Sequence, residues 1–343
     1  MGAAKGSKRD TPTLMSLARE LGVSHQTVSN VLNNPELVKP ETRERVLKGI
    51  RESGYRPSAV GRALRTSRSM SIALRLRPSG DGVNREVMDR FVHHLAEGAQ
   101  AKGYRIQLIT APDDADEVRL LQELFRDGSI DGTILTDTHF DDLRPQVLAF
   151  EGLPTVSFGR PWGASQPTVP WVDVDGAAGT YQATRYLLEA GHATVGFITW
   201  PTPSGVGEDR RSGWMRGVAD LIDDPAKWMV TCPDSVREGA AAAAELRSRG
   251  VTALVCASDS LALGAASVFR VDHEGGPLPI VGFDDSPVAR SLGLSSISQP
   301  VEDAAAQAIS ILLKLLRGDH DGPLEQLLLP PSLRIRDLEL FAL

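Results

Sequence analysis

Cysteine is nearly missing from this chain of 343 residues. The two that occur, Cys232 and Cys256, are too few for a disulfide framework and too far apart for a Cys-x-x-Cys redox or zinc pattern. No apolar run reaches the ~18 residues that a membrane-crossing helix needs. The opening residues, Met1 to Asp10, carry charges with no apolar stretch behind them, so no secretory signal is expected. Aromatic residues are scarce at 5%, yet 41% hydrophobic and 24% charged is ordinary globular composition, which excludes a mainly disordered or fibrous chain. A soluble cytoplasmic protein is the expectation. Its length predicts two or three domains, because single cores stop growing at about 250–300 residues.

Enzyme signatures are absent too. There is no G-x-x-x-x-G-K-[ST] loop to cradle phosphate, no G-x-S-x-G nucleophile elbow, and SGVGEDRR lacks the glycine spacing of a dinucleotide fingerprint. His93 and His94 are adjacent and point in different helical directions, so they do not make a metal pair. Asp113-Asp114 and Asp284-Asp285 have no nucleophile or metal set beside them. The chain is therefore expected to be no enzyme and to need no metal or cofactor.

Charge is unevenly distributed. The net charge is −7, but residues 1–70 carry +7 and the remainder −14. A basic head on an acidic body suggests a polyanionic partner for the head alone, although a solvated basic tail gives the same count. Within the head, Leu14, Leu17, Ala18 and Leu21 recur at helical spacing behind Thr13, a capping residue. Gly22 ends that helix, and Ser24 can cap a second, SHQTVSNVL. Val28, Val31 and Leu32 then point inward, while His25, Gln26, Ser29 and Asn30 share the opposite face. Two short helices joined by a Gly-containing turn form a helix-turn-helix, and a face of hydrogen-bonding groups without a carboxylate suits the major groove. A third helix from Pro40 to Gly54 buries Val46, Leu47 and Ile50. Lys39, a poor helix cap, is free to serve a phosphate. A three-helix protein-interaction domain shares this pattern.

Residues 55–68 follow with Arg56, Arg62, Arg65 and Arg68 and no acid. Ser58 can start a short helix through Ala63 and Leu64 that is too short to be stable alone, and Gly61 costs it about 1 kcal/mol more. Small apolar residues and one Leu among arginines suit insertion into a minor groove; a basic linker is the alternative. The runs GVSHQTVSNVLNNP, ETRERV and GYRPSA resemble the DNA-binding head and hinge helix of the lactose-repressor (LacI/GalR) family over residues 13–66. The resemblance implies base reading by the positions matching His25, Gln26 and Asn30. It also implies intercalation by Leu64 beside Ala63 and Arg62, at the centre of a pseudo-palindromic operator in double-stranded DNA. Ser24, Thr27, Lys39, Thr42 and Arg56 are the candidate phosphate contacts. Asn30 stands where Arg is common, so adenine rather than guanine is the favoured base there.

From residue 70 onward, apolar runs such as SIALRL, YRIQLIT, DGTILTD, PTVSFG, TVGFITW, ALVCAS and PIVGFD alternate with amphipathic stretches at 85–103, 176–191 and 237–250. This predicts parallel sheets in two doubly wound α/β subdomains, with a ligand cleft beyond the carboxyl ends of the strands. Arg77, Arg160, Asp259 and Asp284 follow such strands, Arg210 lies near a helix start, and Gln299 follows SSIS. Converging Arg, Asp and Gln suit a polyhydroxylated ligand, whose hydroxyls both donate and accept; singly, each is equally a cap or a solvated turn residue. Arg75 and Arg77 raise the prospect of an acidic or phosphorylated sugar, or of arginines simply reaching solvent. Trp200 and Trp162 sit beside loops near the cleft, whereas Trp171 and Trp214 are expected in the core.

Residues 70–340 resemble the effector-binding core of the same family, itself related to periplasmic sugar-binding proteins, through VDVDGAAGT, DRRSGW, CASDSLALGA and VGFDDSP. The resemblance implies effector contacts by Arg210, Asp284 and Gln299, with Arg77 and Gly159 lining the same cleft and Asp259 in a motif position. Gly159 replaces a frequent Asp, and Ser258 an Asn, so the effector is not transferable by analogy. The expected organisation is a helix-turn-helix domain at 1–57, a hinge at 58–69 and an effector-binding, dimerising core at 70–343. One subdomain is expected at about 70–170 and 300–328, the other at about 171–299 and 329–343. The expected function is a homodimeric repressor controlled by a small sugar or sugar derivative, without membrane contact. A nucleobase or other non-sugar effector, or a sugar-binding or sugar-modifying protein, is the alternative. The ending RDLELFAL carries no heptads, so no tetramerising tail is expected.

Overall fold

The structure, a computed structural model, describes residues 12–33, 35–53, 68–77, 85–163, 166–221, 224–269, 279–319 and 322–336. The chain divides into two compact units, Met1–Ser69 and Met70–Leu343.

The first unit contains helices α1 (Leu14–Glu20), α2 (His25–Asn33) and α3 (Pro40–Ser53). Thr13 and Ser16 cap α1 reciprocally: the Ser16 amide donates to Thr13 Oγ1 at 3.1 Å, and the Thr13 amide to Ser16 Oγ at 2.8 Å. Gly22 turns the chain at φ 63°, a left-handed conformation that favours glycine. Ser24 Oγ then accepts the Thr27 amide at 3.0 Å and starts α2. Leu17, Ala18, Val28, Val31 and Val46 form the core, flanked by Leu14, Leu21, Leu32, Leu47 and Ile50. These are the positions that helical spacing assigned inward. The hinge residues Arg56, Arg62, Ala63 and Leu64 lie outside the described residues.

The second unit is built on two six-stranded sheets. Strands β1 (Ser71–Arg75), β2 (Arg105–Ile109), β3 (Gly132–Leu135), β4 (Thr155–Phe158) and β5 (Trp171–Val174) belong to the first. Strands β6 (Val195–Thr199), β7 (Met229–Thr231), β8 (Ala253–Cys256), β9 (Ile280–Phe283) and β10 (Ser295–Ser298) belong to the second. The last two strands separate: β11 (Gln326–Leu329) pairs in parallel with β5, and β12 (Ser332–Arg334) pairs antiparallel with β10. The orders are β11-β5-β4-β3-β1-β2 and β12-β10-β9-β8-β6-β7.

Helices α4 (Arg85–Ala101), α5 (Asp114–Arg126) and α6 (Arg144–Phe150) follow the early strands. Helices α7 (Gly176–Glu189), α8 (Gly205–Val218), α9 (Val236–Ser248), α10 (Asp259–Phe269) and α11 (Pro287–Ser291) serve the second sheet. The last helix, α12 (Val301–Arg317), returns to the first. There Phe91 and Leu95 of α4 pack with Ile309 and Leu312 of α12 against Ile72, Ile134 and Val156. The core of the second sheet gathers Phe197, Val255, Phe283 and Ile297 around Trp214.

The chain therefore crosses between sheets three times, after β5, after β10 and after β11. This corrects the boundary expected at residue 171. Strand β5 belongs to the first subdomain, with Val172 opposite Leu327, and the second begins near Asp175. The sequence WVDV carries Asp173 in its middle and does not read as an apolar strand.

Candidate functional site

In the first unit, α2 exposes His25 and Gln26 with Asn30 half-buried beside them. Gln26 Nε2 donates to Asn30 Oδ1 at 3.0 Å, which ties the two side-chain amides together. Ser29 does not belong to this face. It is 9% exposed, one residue after Val28 and three before Leu32, both of which pack in the core. Ser24 Oγ and Thr27 Oγ1 lie 2.8 Å apart at the start of α2, where unpaired backbone N–H groups favour phosphate. The first turn of α2 has no acid. Lys39 is exposed at the start of α3, with Thr42 half-buried in its first turn. Arg56 lies outside the described residues.

In the second unit, a cavity of about 280 Å³ lies where the carboxyl ends of the two sheets face each other. Asp137, Thr138, Phe158, Gly159 and Trp162 reach it from the first subdomain; Trp200, Arg210, Asp284 and Gln299 reach it from the second. Local chemistry positions each. Ser204 Oγ accepts the Gly207 amide at 3.1 Å and starts α8, which sets Arg210 against the sheet end. Its guanidinium carbon lies 3.6 Å from the centre of the Phe283 ring and 5.1 Å from that of Trp200. Arg210 Nη1 donates to the Ala257 carbonyl and Nη2 to Asp284 Oδ1 at 3.4 Å. Gln299 Nε2 donates to the same oxygen at 2.7 Å. Asp284 and Asp285 adopt φ of 108° and 52°, a bend that costs of order 1–3 kcal/mol per residue and aims the first carboxylate inward.

Three buried donors around this cavity, Arg210 Nε and the indole N–H groups of Trp162 and Trp200, have no acceptor among the described residues. A ligand rich in oxygen acceptors satisfies them. The lining also holds Asp137, Asp173, Asp209, Asp234 and Asp284 against a single cation, Arg210. Burial, joined by the Asp259 and Asp234 carboxylates, pushes Asp284 up to about 7 despite Arg210 and Gln299. Burial likewise raises Asp209, against the pull of Arg160 and the Ala177 amide. Arg160 offsets the charge of Asp173 and Asp209, so much of this lining is a set of paired oxygen acceptors.

Other expected contacts lie elsewhere. Gly159, at φ 116°, does line the cavity, and a Cβ there would fall 2.3 Å from Thr138 Oγ1, so a side chain at this position is strained and crowded. Arg160 is not among the lining residues. Its Nε donates to Asp173 at 2.6 Å and its Nη2 to Asp209 of α8 at 3.3 Å, which spans the cleft. Asp259 is fully buried and accepts from the Ser286 amide and Ser296 Oγ, both at 2.6 Å. It knots α10 to β10 and the turn after β9, away from the cavity, and burial raises its pKa to about 6.

Arg77 pairs with Asp114 at 2.8 Å over a separate surface depression. Arg75 is 5% exposed, held by Glu117 at 2.8 Å and the Ala111 carbonyl. Neither arginine is among the residues that line the cavity, although Arg77 also pairs with Asp137 of that lining at 3.7 Å. Near them, Asp114, His139 and Asp142 have ligand atoms within 4.8 Å of one another, but Arg75, Arg77 and Arg144 already supply the positive charge there. Trp214 is core, stacked on Phe197, whereas Trp171 is half-buried beside a second hollow. Sequence reading missed Asp137, Asp173, Asp209 and Asp234; only Asp137 and Asp234, just beyond β3 and β7, carried a strand-end signal.

Comparison with known proteins bears on both units. The family model of bacterial regulatory proteins, lacI family, matches residues 13–58. That of periplasmic binding proteins and sugar binding domain of LacI family matches residues 88–309. The HTH-type transcriptional regulator CelR of Thermobifida fusca is 31% identical over 338 residues, 96% of this chain and 99% of its own. A solved CelR–cellobiose complex superposes with a TM-score of 0.70 at 29% identity, covering 95% of this chain and 99% of that one. The lac repressor dimer bound to operator and the anti-inducer ONPF shares the fold, with a TM-score of 0.80 at 22% identity over 96% of this chain and all of that one.

Proposed function

The chain belongs to the LacI family of bacterial regulatory proteins, and from that membership we infer a DNA-binding transcriptional repressor controlled by a neutral carbohydrate in the cleft cavity. The observation that carries the choice of effector is the lining itself: five carboxylates, one stacked arginine and three unpartnered donors. Sugar hydroxyls donate to the former and accept from the latter, whereas an ionised phosphate or carboxylate has no proton to donate to the acids. The relative solved with cellobiose makes a neutral disaccharide the first candidate.

In this reading two copies of the chain place two heads on the halves of a pseudo-palindrome, and the protein works in the cytoplasm as a regulator rather than an enzyme. His25, Gln26 and Asn30 read bases, and Ser24, Thr27, Lys39, Thr42 and Arg56 hold phosphates. Arg62, Ala63 and Leu64 enter the minor groove at the centre. Arg210, Asp284, Gln299, Trp200 and Trp162 hold the sugar, and closing on it changes the spacing of the two hinge segments. Because an isolated helix over residues 58–65 is marginal, a coupling of ~1–3 kcal/mol is enough to order or melt it. The test is operator selection from random duplexes, followed by release assays with cellobiose, other neutral disaccharides and sugar phosphates. Release or recruitment by a neutral sugar is expected. A response to phosphorylated sugars alone overturns the effector reading, and no preference for any palindrome overturns the regulator.

A further inference from the structure

Beside the cleft, on the first subdomain alone, a second hollow of about 210 Å³ opens between the loop after β3 and the loop joining β4 to β5. Ser157 and Trp171 are register partners on β4 and β5, so their side chains stand side by side on one face of the sheet, and both line this hollow. Trp162 lines this hollow and the cleft cavity alike and stands between them. Asp141, Gln146 and Gln166 are exposed at the rim. Ser157 is 2% exposed, and its hydroxyl and the Trp162 indole N–H have no hydrogen-bond partner among the described residues. Neighbouring polar groups are committed: Asp142 to Arg144 at 2.7 Å, and His139 to Asp114 at 2.6 Å. Among the described residues, no Lys or Arg lines the hollow.

We propose that this hollow is a second carbohydrate site that takes one neutral pyranose ring, and that Trp162 couples it to the cleft. The choice of ligand rests on the neutral-sugar reading of the cleft. The Trp171 indole borders the hollow and can meet the C–H face of a ring, the Trp162 ring being covered by the Arg160 guanidinium 4.8 Å from its centre, while a carboxylate and two amides at the rim meet hydroxyls that both donate and accept. Inside, the Ser157 hydroxyl gains the partner it lacks. The absence of a cation and the presence of carboxylates exclude an anionic ring.

Coupling follows from what Trp162 touches. Its indole packs against Gly205, the first residue of α8 in the other subdomain, so closely that a Cβ there would fall 2.2 Å from the ring. A ring seated in the side hollow holds that indole against α8 and so favours the closed cleft. By linkage, each occupant raises the affinity of the other by the same factor.

The test uses the full chain labelled with 5-fluorotryptophan, whose fluorine signals are assigned by Trp→Phe variants. The probes are D-glucose, D-galactose, D-mannose and D-xylose at tens of millimolar. In the Arg210→Ala protein, where the cleft is disabled, at least one sugar is expected to move the Trp171 and Trp162 signals. Gln146→Ala combined with Gln166→Ala is expected to weaken that binding about ten-fold. A Trp171 signal unmoved by all four sugars overturns the proposal, as does a shift untouched by the double substitution. If Arg210→Ala does not fold, the wild-type chain carries the test: separate midpoints for Trp171 and Trp200 support the second site. A Trp200 shift alone, or one shared midpoint, overturns it and leaves the cleft reading standing.

Discussion

Arg210 lies flat on Phe283, guanidinium carbon to ring centre 3.6 Å, while the residue that follows Phe283 in the chain, Asp284, accepts one of its N–H groups. One β-strand end thus fixes both the plane and the charge of the arginine, and Nε remains unpartnered. Lysine keeps the charge but neither the fork nor the stacking. Arg210→Lys is expected to weaken the ligand response by ~1.5–3 kcal/mol, about ten- to hundred-fold, the scale of a hydrogen bond to a charged group. Operator affinity without ligand should stay within about two-fold. Fluorescence anisotropy of labelled operator, titrated with the releasing sugar, measures both.

The raised carboxyls make stability fall as pH climbs. The ordinary value is 3.8, whereas folded Asp259 stands at about 6 and Asp284 at about 7. Between these limits the folded chain holds protons that the unfolded chain has released, so the stabilisation present below the ordinary value is lost as pH rises. Asp259 contributes to the fall up to about pH 6 and Asp284 up to about pH 7. Urea midpoints across this range should decline, and Asp284→Asn should flatten the upper part. An unchanged slope in that variant refutes the assignment.

Gln26→Ala removes one reader and frees the amide of Asn30 that it holds at 3.0 Å. A loss of ~1–3 kcal/mol in operator affinity is expected, with relaxed preference at one base pair in each half-site. No charge is removed, so the slope of affinity against salt should not change. Parallel titrations on the selected operator and its single-base variants decide this.

Much of this was legible beforehand, and the reasons differ by region. The head was read almost completely because helical period, Gly22 and the caps Thr13 and Ser24 are local signals, and the inward set assembled as its core. Ser29 was misassigned because a helix face shades gradually into its core and one position cannot be settled by spacing. In the body seven apolar strands were visible, but β5, β7, β10, β11 and β12 were not among them: β5 carries a buried Asp, β7 and β12 are three residues long, β10 is mostly serine, and β11 is four residues at an edge. The cleft arginine and its partners could be named from motif. The acidity of the cavity could not, because it sums carboxylates from loops far apart in sequence.

Gly205→Ala places a methyl group where the Trp162 ring now sits. Overpacking of this kind costs ~1–3 kcal/mol, and here it falls on the closed cleft. Sugar affinity is expected to drop about ten-fold or more by calorimetry, with operator binding in the absence of sugar unaffected. A variant that binds sugar as tightly as the parent shows that the indole moves aside freely.

Leu64→Ala should weaken operator binding and spare sugar binding, since the wedge acts on DNA alone. Electrophoretic mobility shift and calorimetry on the same preparation separate the two. Equal losses in both refute the hinge assignment.

The two later passages of chain between the sheets lie at one border of each, beside β5 and β11 in the first and beside β10 and β12 in the second, while the passage after β5 leads through α7 to β6. The lobes are thereby bound like the boards of a book along its spine, free to swing open at the fore-edge and poorly able to slide. Neither lobe is an uninterrupted stretch of sequence. A gene cut short before β11 therefore takes a strand from both lobes at once, and cannot yield a lone half that competes for sugar.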